Sequence, residues 1–342
     1  MVGANFWLAA GKPGQDVPGK LVSGIHRLYE QGHFLLVDPQ QLATELALKE
    51  EVMATKPHVV FAAEERSLPA QQECLELFLE VLPAYYPDLY RLEGEGAARS
   101  VTIAFPDGAE KSYALADFAN RPLELCGRLV QEDFALLRVS DEPGPHPQEA
   151  KHVMTAASVC FSFHGLAEKL GTTTLSIHAP VPGFEEQLEK LLNRTFTALQ
   201  PDKPIWRNNW AAAYTGDLTM PSYNVGGPGA QLDAMGGTRP PAEALWLKTE
   251  YQTLRRLPRS KAILFTIRTM VQRMPEIGGE AARVLHNSLS GMTPSLREYK
   301  GVPGEAADDL LLLLEGIMAA EAEEGVVAAE GAAAAAAPVS AR

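Results

Sequence analysis

The pattern of apolar and polar positions is most informative at residues 244–270. Two runs rich in Leu, Ile, Thr, Phe and aromatic residues, ALWLKTEYQTLRRL and AILFTIRTM, flank a break at Pro258-Arg259-Ser260-Lys261. Such runs around a short polar break predict two strands joined by a turn. Burying an isolated charge is costly, so charged residues on these strands lie on a solvated face or point at an opposite charge. The residues concerned are Lys248, Glu250, Arg255, Arg256 and Arg268.

The same kind of pattern predicts elements along the rest of the chain. SVTIAF and KSYAL, on either side of Pro106-Asp107-Gly108, predict a hairpin. Further strands are predicted in LVQEDFALLRVS, HVMTAASVCFSF and IWRNNWAAAYT. Helical spacing predicts helices in QQLATELALKEEV, in QQECLELFLEVLPAYYP with its end at Pro83 and Pro87, in FEEQLEKLLNRTFTAL, in EAARVLHNSL and in EAADDLLLLLEGIMAAEAEE. Strands and hairpins among short helices, with helices at both ends, predict a mixed α/β (α+β) fold built on an antiparallel sheet.

Three segments differ in composition. Residues 1–33 contain glycine and proline without strong periodicity and predict an extended lead-in to a domain at 34–318. Residues 319–342 form an Ala-rich, low-complexity tail without an apolar stripe to bury. The glycine-rich run 223–241 lacks a following GK[ST], so a surface loop is favoured over a nucleotide cradle.

Composition excludes several classes of partner. The net charge of −13 argues against binding to a phosphate backbone, so no nucleic acid is expected. Cys74, Cys126 and Cys160 lack any CxxC spacing and predict neither a disulfide framework nor a zinc site. No run approaches the roughly 18 apolar residues that span a bilayer, and no signal peptide is apparent. We therefore expect no membrane association and a cytoplasmic location.

Several longer motifs carry a family resemblance. KTEYQTLRRLP followed by AILFTIRT resembles the haem-dependent oxidative N-demethylase family, and so do CGRLVQEDFALLR, TAASVCFSFHGLAEKLGTTTLSIHAPVPG, RNNW (207–210) and LELFLEVLPAYYPDLY. The similarity runs in order over about residues 34–300. The chain departs from the family pattern where Pro and Trp are expected near Ser162 and His164, Arg near Lys248, and Tyr at Met270.

The resemblance implies a fold and an activity. The fold would be a PAS-like core at roughly 98–275, a curved antiparallel sheet with helices on one face, holding haem b. The activity would be O2-dependent N-demethylation of a small secondary amine such as dimethylamine, with release of formaldehyde. The chain shows no Rossmann glycine pattern and no iron–sulfur cysteine spacing. Electrons from NAD(P)H would therefore arrive through a separate flavin and iron–sulfur reductase or a ferredoxin-type donor. The alternatives are a non-catalytic haem-binding PAS-type sensor or interaction module, and a scaffold without haem.

Within the resemblance, His178 is the predicted axial ligand of the haem iron. It precedes a turn stiffened by Pro180 and Pro182, which would fix the direction of its ring. The competing interpretation is a histidine that is hydrogen-bonded at a strand end. His164 and His152 are the other candidate ligands, whereas Cys160 resembles a small core residue.

Arginines are candidates for holding the haem propionates, because a guanidinium grips a carboxylate with two parallel hydrogen bonds. Arg207 and Arg268 are preferred, Arg256 also lies in a family motif, and each could instead form a structural ion pair. Glu250 would pair with a protonated amine or relay protons, or else neutralise Arg268. Asn209 and Trp210 would orient oxygen or line the pocket, although Trp210 is also a typical core residue. Glu132 and Asp133 are adjacent and should point to opposite sides of a strand, so no joint role is expected.

Overall fold

The computed structural model describes residues 24–29, 34–142, 150–162, 166–219 and 239–335, with side chains described as far as residue 323. These residues contain ten strands: β1 (His26–Arg27), β2 (Phe61–Ala63), β3 (Tyr90–Glu93), β4 (Ser100–Ala104), β5 (Glu110–Ala114), β6 (Asp133–Val139), β7 (His152–Ser158), β8 (Ile205–Ala213), β9 (Trp246–Arg256) and β10 (Ile263–Arg273).

The described residues also contain ten α-helices: α1 (Leu42–Thr55), α2 (Pro57–Val60), α3 (Leu68–Tyr85), α4 (Pro122–Leu129), α5 (Leu166–Lys169), α6 (Thr174–His178), α7 (Lys190–Ala198), α8 (Gly279–Ser290), α9 (Pro294–Tyr299) and α10 (Glu305–Ala335). A π-helical turn, Glu185–Glu189, leads into α7. No helix in the described part of the chain is both long and apolar enough to cross a bilayer.

Seven strands form the main sheet in the order β1-β8-β9-β10-β6-β7-β2, and every pairing is antiparallel. The predicted hairpin at 244–270 is confirmed, since β9 and β10 pair along their whole length. Its turn is held by Glu73 of α3, which accepts hydrogen bonds from the backbone N–H groups of Arg259 and Ser260, both at 2.7 Å. Capping of the turn by a helix side chain fixes the register of the longest pair of strands.

A second sheet contains three strands in the order β3-β4-β5. It includes the predicted hairpin around Pro106-Asp107-Gly108, with Ala104 opposite Glu110. Gly108 has φ +87°, a backbone conformation that residues with a Cβ rarely adopt, so glycine suits this turn. The predicted mixed class with an antiparallel sheet is thus confirmed, whereas the PAS-like description and the domain boundaries stay predictions.

The register of the strands places Arg207 and Arg268 on opposite faces of the main sheet. Arg207 stands opposite Gln252, which stands opposite Ile267. Arg268 stands opposite Tyr251, one position away. Directly paired residues share a face and successive residues alternate. We therefore name the two sides the Arg207 face and the Arg268 face.

Helices cover both faces, in contrast to the single helical face that the resemblance implies. On the Arg268 face, side chains of α1, α3 and α4 pack on the strands at one end, and side chains of α8 and α10 pack around Trp210 at the other. On the Arg207 face, Leu166, Ile177 and Phe196 from α5, α6 and α7 pack against Leu254 and Ala157. The short helices 166–198 thus approach the face that carries Arg207.

Two local predictions need correction. Helix α3 continues through Pro83 and ends at Tyr85. A proline in the last turn disrupts few backbone hydrogen bonds, so the helix need not stop there. TLSIH is helix α6 and not a strand end, and Thr173 caps it by accepting a hydrogen bond from the Ser176 N–H at 3.2 Å. Between the last two predicted helices, SLREYKGVPG contains helix α9, capped in the same way by Thr293.

Within the predicted lead-in, His26 and Arg27 form an edge strand paired with Trp206 and Ile205. In the predicted tail, the backbone up to Ala335 continues helix α10. The predicted loop at 223–241 lies outside the described residues except for its last three positions.

Candidate functional site

The Arg207 face carries a group of polar side chains that we call the Arg207 cluster: Arg207, Asn209, Lys248, Glu250 and Lys300. Strand register brings the first four together, since Asn209 stands opposite Glu250 and Ala211 opposite Lys248. Lys300 joins them from the end of α9, where its backbone carbonyl accepts a hydrogen bond from the Ala212 N–H at 2.9 Å. Two of the predicted catalytic residues and one of the predicted haem-binding arginines therefore lie in one place.

Glu250 is held by two amides and approached by a lysine. Its Oε2 accepts hydrogen bonds from Asn209 Nδ2 at 3.2 Å and from Gln252 Nε2 at 2.9 Å. Lys248 Nζ lies 3.7 Å from Oε1 and donates to the Phe161 carbonyl at 3.2 Å. The predicted neutralisation of Arg268 by Glu250 is wrong, because the two side chains are on opposite faces.

Lys300 reaches the cluster from outside the sheet. Its Nζ donates to Asn209 Oδ1 at 2.7 Å and to the Trp210 carbonyl at 2.6 Å. Burial, together with the nearby Arg207 cation, lowers the pKa of Lys300 to about 8, although Glu250 opposes the shift. Lys300 remains largely protonated at neutral pH.

Arg207 differs from the other members because its Nε is buried without a hydrogen-bond partner among the described residues. Burial lowers the pKa of the guanidinium, and the Glu250 carboxylate and Tyr299 offset this shift in part. A buried donor without a partner is costly and marks a position where a ligand can supply the acceptor.

The charge balance of the cluster points to the same kind of ligand. Arg207, Lys248 and Lys300 all lie near the Glu250 carboxylate, and Lys248 is also near Asp133. Buried charge is costly unless an opposite charge is close. The cations around Glu250 are therefore suited to an anionic group of a ligand.

His178, at the end of α6, lies near Arg207. Its Nδ1 is 2.7 Å from the Thr174 carbonyl, and its ring stacks on Phe184 with centroids 4.6 Å apart and planes 7° from parallel. Burial, and secondarily the Arg207 cation, lowers the pKa of His178, which favours the neutral ring. Because a carbonyl can only accept, Nδ1 carries the proton and the lone pair is on Nε2. This is the arrangement of a metal-ligating histidine whose second nitrogen is oriented by the backbone.

The other candidate ligands are less suited. His152 is 1% exposed and packs edge-on against Phe196, and burial, with a smaller contribution from Arg256, lowers its pKa to about 4. His164 lies outside the described residues. Cys160 is buried and its pKa is raised by burial to about 12, as expected of a core thiol. Among the described residues, no group of three or more His, Cys, Asp or Glu side chains could hold a metal ion.

The remaining predicted arginines have structural partners. Arg268 is 3% exposed and forms a two-pronged ion pair with Glu45 of α1, at 2.7 and 3.0 Å. The prediction that Arg268 and Arg207 hold the propionates of one haem is therefore wrong in its Arg268 half. Arg256 donates to the carbonyls of Phe196 and Leu199 at the end of α7, as a cation does at a helix C-terminus.

Trp210 belongs to the packing between the sheet and α8, and it lies on the Arg268 face. Its Nε1 is 3.3 Å from Ser288 Oγ, and it clusters with buried side chains of α8 and α10. Trp210 is thus a core residue that contacts the Arg207 cluster through Lys300, whose Nζ donates to the Trp210 carbonyl at 2.6 Å and lies 5.7 Å from the ring centroid.

The two acidic neighbours Glu132 and Asp133 have separate surroundings, as predicted. Asp133 accepts hydrogen bonds from the backbone N–H groups of Cys160, Phe161 and Ser162 at 2.7–2.9 Å. Glu132 is 1% exposed, and burial raises its pKa to about 7 even though Arg268 acts in the opposite direction. Asp133 organises a turn, whereas Glu132 is a buried carboxyl behind the Arg268 face.

Sequence reasoning missed Lys300 and Tyr299. Tyr299 ends the short polar helix α9, and Lys300 follows it. The next residues are Gly301-Val302-Pro303-Gly304, a sequence typical of a connector. Lys300 is 91 positions from Asn209 along the chain, and no local pattern indicates that contact. The contact between Lys300 and Asn209 is visible only in the folded structure.

A comparison with known families identifies the chain. The profile of the family described as haem-dependent oxidative N-demethylase, alpha subunit-like, matches residues 26–307. The chain belongs to this family.

Proposed function

We propose that the chain is the haem-bearing catalytic component of an oxidative N-demethylase that acts on a small secondary amine. The family is haem-dependent, and its description as alpha subunit-like suggests that further components take part. The overall reaction for dimethylamine would consume O2, two electrons and two protons and would yield methylamine, formaldehyde and water. Haem b, when bound, supplies the O2 activation that side chains cannot provide.

The observation that carries the proposal is that Arg207 and His178 lie near each other on one face of the sheet. Arg207 has a buried Nε without a partner among the described residues, and His178 is a neutral imidazole with its lone pair on Nε2. An imidazole is one of the side chains that can hold haem iron, and an arginine can grip a propionate. We therefore propose that His178 would hold the iron and that Arg207 would hold a propionate.

The cations of the Arg207 cluster support the same assignment. Haem propionates are anionic, and Arg207, Lys248 and Lys300 would attract them. Without them, a protonated amine would be repelled from this face. We therefore expect dimethylamine to bind the haem-loaded protein and not the apoprotein.

Glu250 and Asn209 are the proposed catalytic residues. Glu250, the carboxylate of the cluster, would accept a hydrogen bond from the protonated amine. It would later take up the hydroxyl proton of the N-protonated carbinolamine as the C–N bond breaks to give formaldehyde and methylamine. Asn209 holds Glu250 through its Nδ2 and keeps one further N–H for a ligand. The two side chains would orient the amine and accept the proton that the collapse releases.

Electrons are the part of the reaction that must come from a partner. We propose NAD(P)H as their source, with transfer through a separate flavin and iron–sulfur reductase or a ferredoxin-type donor. The support is the sequence, which lacks the Rossmann glycine pattern and the cysteine spacing of an iron–sulfur cluster.

Spectroscopy of the purified protein tests the proposal first. A Soret band is expected, and formaldehyde should appear when dimethylamine, O2 and a reducing system are supplied. A Soret band without formaldehyde would favour the haem-binding sensor, and a protein that takes up no haem would favour the scaffold.

A substitution at His178 tests the ligand. His178→Ala should change the Soret position, and added imidazole should restore much of the parent spectrum, because the cavity left by the ring accepts a free imidazole. His152→Ala is the matched control and should keep the parent spectrum. The opposite result, with His152 or His164 controlling the spectrum, would mean that the ligand has been assigned to the wrong histidine.

A further inference from the structure

Lys300 determines which way the Asn209 side chain points. A lysine ammonium has only donors, so the atom of Asn209 that it contacts at 2.7 Å must be the carbonyl oxygen Oδ1. The amide nitrogen Nδ2 is then on the other side, 3.2 Å from Glu250 Oε2. The orientation of the amide thus follows from the chemistry of its neighbour.

The consequence reaches Glu250. Asn209 Nδ2 and Gln252 Nε2 both donate to Oε2, at 3.2 and 2.9 Å. The nearest charged group to Oε1 among the described residues is Lys248 Nζ at 3.7 Å, which is beyond hydrogen-bond distance. Oε2 therefore accepts two hydrogen bonds, whereas Oε1 is in ion-pair contact with Lys248 and keeps acceptor capacity for a hydrogen bond from a ligand.

We propose that Lys300 is a positioning residue that fixes the Asn209 amide and so turns Oε1 of Glu250 toward the substrate amine. This inference rests on the proposed function and adds to it the requirement that the amine carry at least one N–H. A protonated secondary amine satisfies the requirement, whereas a quaternary ammonium ion has no hydrogen to donate. Lys300 acts through Asn209 and does not itself contact the amine.

The alternative is that Lys300 acts only through its charge. Arg207, Lys248, Lys300 and Tyr299 are the ionisable groups near Glu250, and loss of any of the three cations changes the local potential. Lys300→Met removes both the charge and the donor, whereas Lys300→Arg keeps both. By charge alone, loss of a cation near Glu250 should favour binding of a cationic amine, so a weaker affinity of Lys300→Met reports the lost orientation of Asn209.

The test measures binding of dimethylammonium and tetramethylammonium to the haem-loaded full-length protein by titration calorimetry. Lys300→Met should raise Kd for dimethylammonium about tenfold, as expected when a charge-assisted contact is lost. Lys300→Arg should stay within about threefold of the parent, and neither variant should alter the weak binding of tetramethylammonium. The Soret spectrum and circular dichroism of each variant check haem content and folding.

A double-variant cycle separates positioning from charge. If Lys300 acts through the amide, Asn209→Leu alone should weaken binding by a similar factor, and Lys300→Met should add little in that background. Additive effects, or a Lys300→Met variant that binds dimethylammonium as tightly as the parent or more tightly, would overturn the proposal, because loss of a neighbouring cation by itself favours a cationic amine. If Lys300→Met fails to fold, Lys300→Gln replaces it, because a glutamine amide can donate or accept and no longer fixes Asn209.

Failure of the proposed function gives a different result from failure of this inference. Absence of a Soret band or of formaldehyde in the parent overturns the N-demethylase assignment. A parent that binds dimethylammonium and releases formaldehyde, with Lys300→Met equal to it in Kd, overturns only the role of Lys300.

Discussion

Arg207 and Arg268 lie on adjacent rows of the same sheet, yet of the two only Arg268 forms a close two-pronged ion pair with a carboxylate among the described residues. Arg268 is enclosed by the helical packing and gripped by Glu45 at 2.7 and 3.0 Å. Arg207, on the opposite face, has a buried Nε without a partner among the described residues. A paired buried charge holds two elements together, and an unpaired one is available to a ligand. The comparison separates a structural arginine from a functional one without reference to any cofactor.

The largest effect should come from breaking the paired side. Arg268→Met leaves the Glu45 carboxylate buried and alone, which costs about 3–5 kcal/mol in the free energy of unfolding. Arg207→Met leaves Glu250 with two further cations nearby, Lys248 and Lys300, and should cost less than about 1 kcal/mol in the apoprotein. Urea unfolding followed by circular dichroism measures both variants. Equal losses would remove the distinction between the two faces.

The sequence alone could not make this distinction. Both arginines stand among apolar strand residues, in IWRNN and FTIRT, and both strands were predicted. The face of each side chain depends on register, and a shift of one residue would exchange the two faces. The partner of Arg268 comes from α1, 223 positions away, and that distance leaves no local trace.

His178 shows a different limit. The run TTTLSIH is rich in β-branched residues and favours a strand on propensity, but a threonine cap and packing of Ile177 into the Arg207 face make it a short helix. The hairpins could be predicted because the alternation of the strands and the turn residues between them indicate the same structure. The position of His178 relative to Arg207 depends on tertiary packing, so the sequence did not predict it.

A second test sharpens the comparison through pH, using the buried carboxyl behind the Arg268 face. Burial raises the pKa of Glu132 from 4.5 to about 7. Between these pH values the folded state therefore keeps a proton on Glu132 that the unfolded chain has already released. This contribution to stability is fully present below pH 4.5 and is lost as pH rises through about 7. The loss at higher pH is on the order of 3 kcal/mol.

Glu132→Gln should therefore be more stable than the parent at pH 8 and close to it at pH 4.5. Glutamine retains the oxygen that accepts from the Leu36 N–H at 2.5 Å. Thermal or urea unfolding at a series of pH values measures the difference, with Glu51→Gln on the exposed side of α1 as the control. A parent and a Glu132 variant with parallel pH profiles would show that this carboxyl does not titrate in the folded protein.

The third test addresses the unpaired side directly. If Arg207 holds a propionate, Arg207→Met should weaken haem binding by about 10- to 100-fold, the range of one charge-assisted contact. Titration of the apoprotein with haemin, followed at the Soret band, measures the affinity. Arg273→Met, at the exposed end of β10, is the control and should bind haem like the parent. Unchanged affinity in the Arg207 variant would return the cluster to a purely structural role.

The smallest effect should come from removing a segment that the cores of neither face require. Residues after Glu324, GVVAAEGAAAAAAPVSAR, carry no apolar stripe, so a chain ending at Glu324 should match the parent in unfolding free energy to within about 0.5 kcal/mol and in haem content. Leu314→Ala in the same helix is the contrasting control, because Leu314 is fully buried in the Arg268-face packing and its truncation should cost about 2–5 kcal/mol. A clear loss of stability or haem on shortening would show that the end of α10 packs on the core, and the boundary between domain and tail would then lie beyond residue 324.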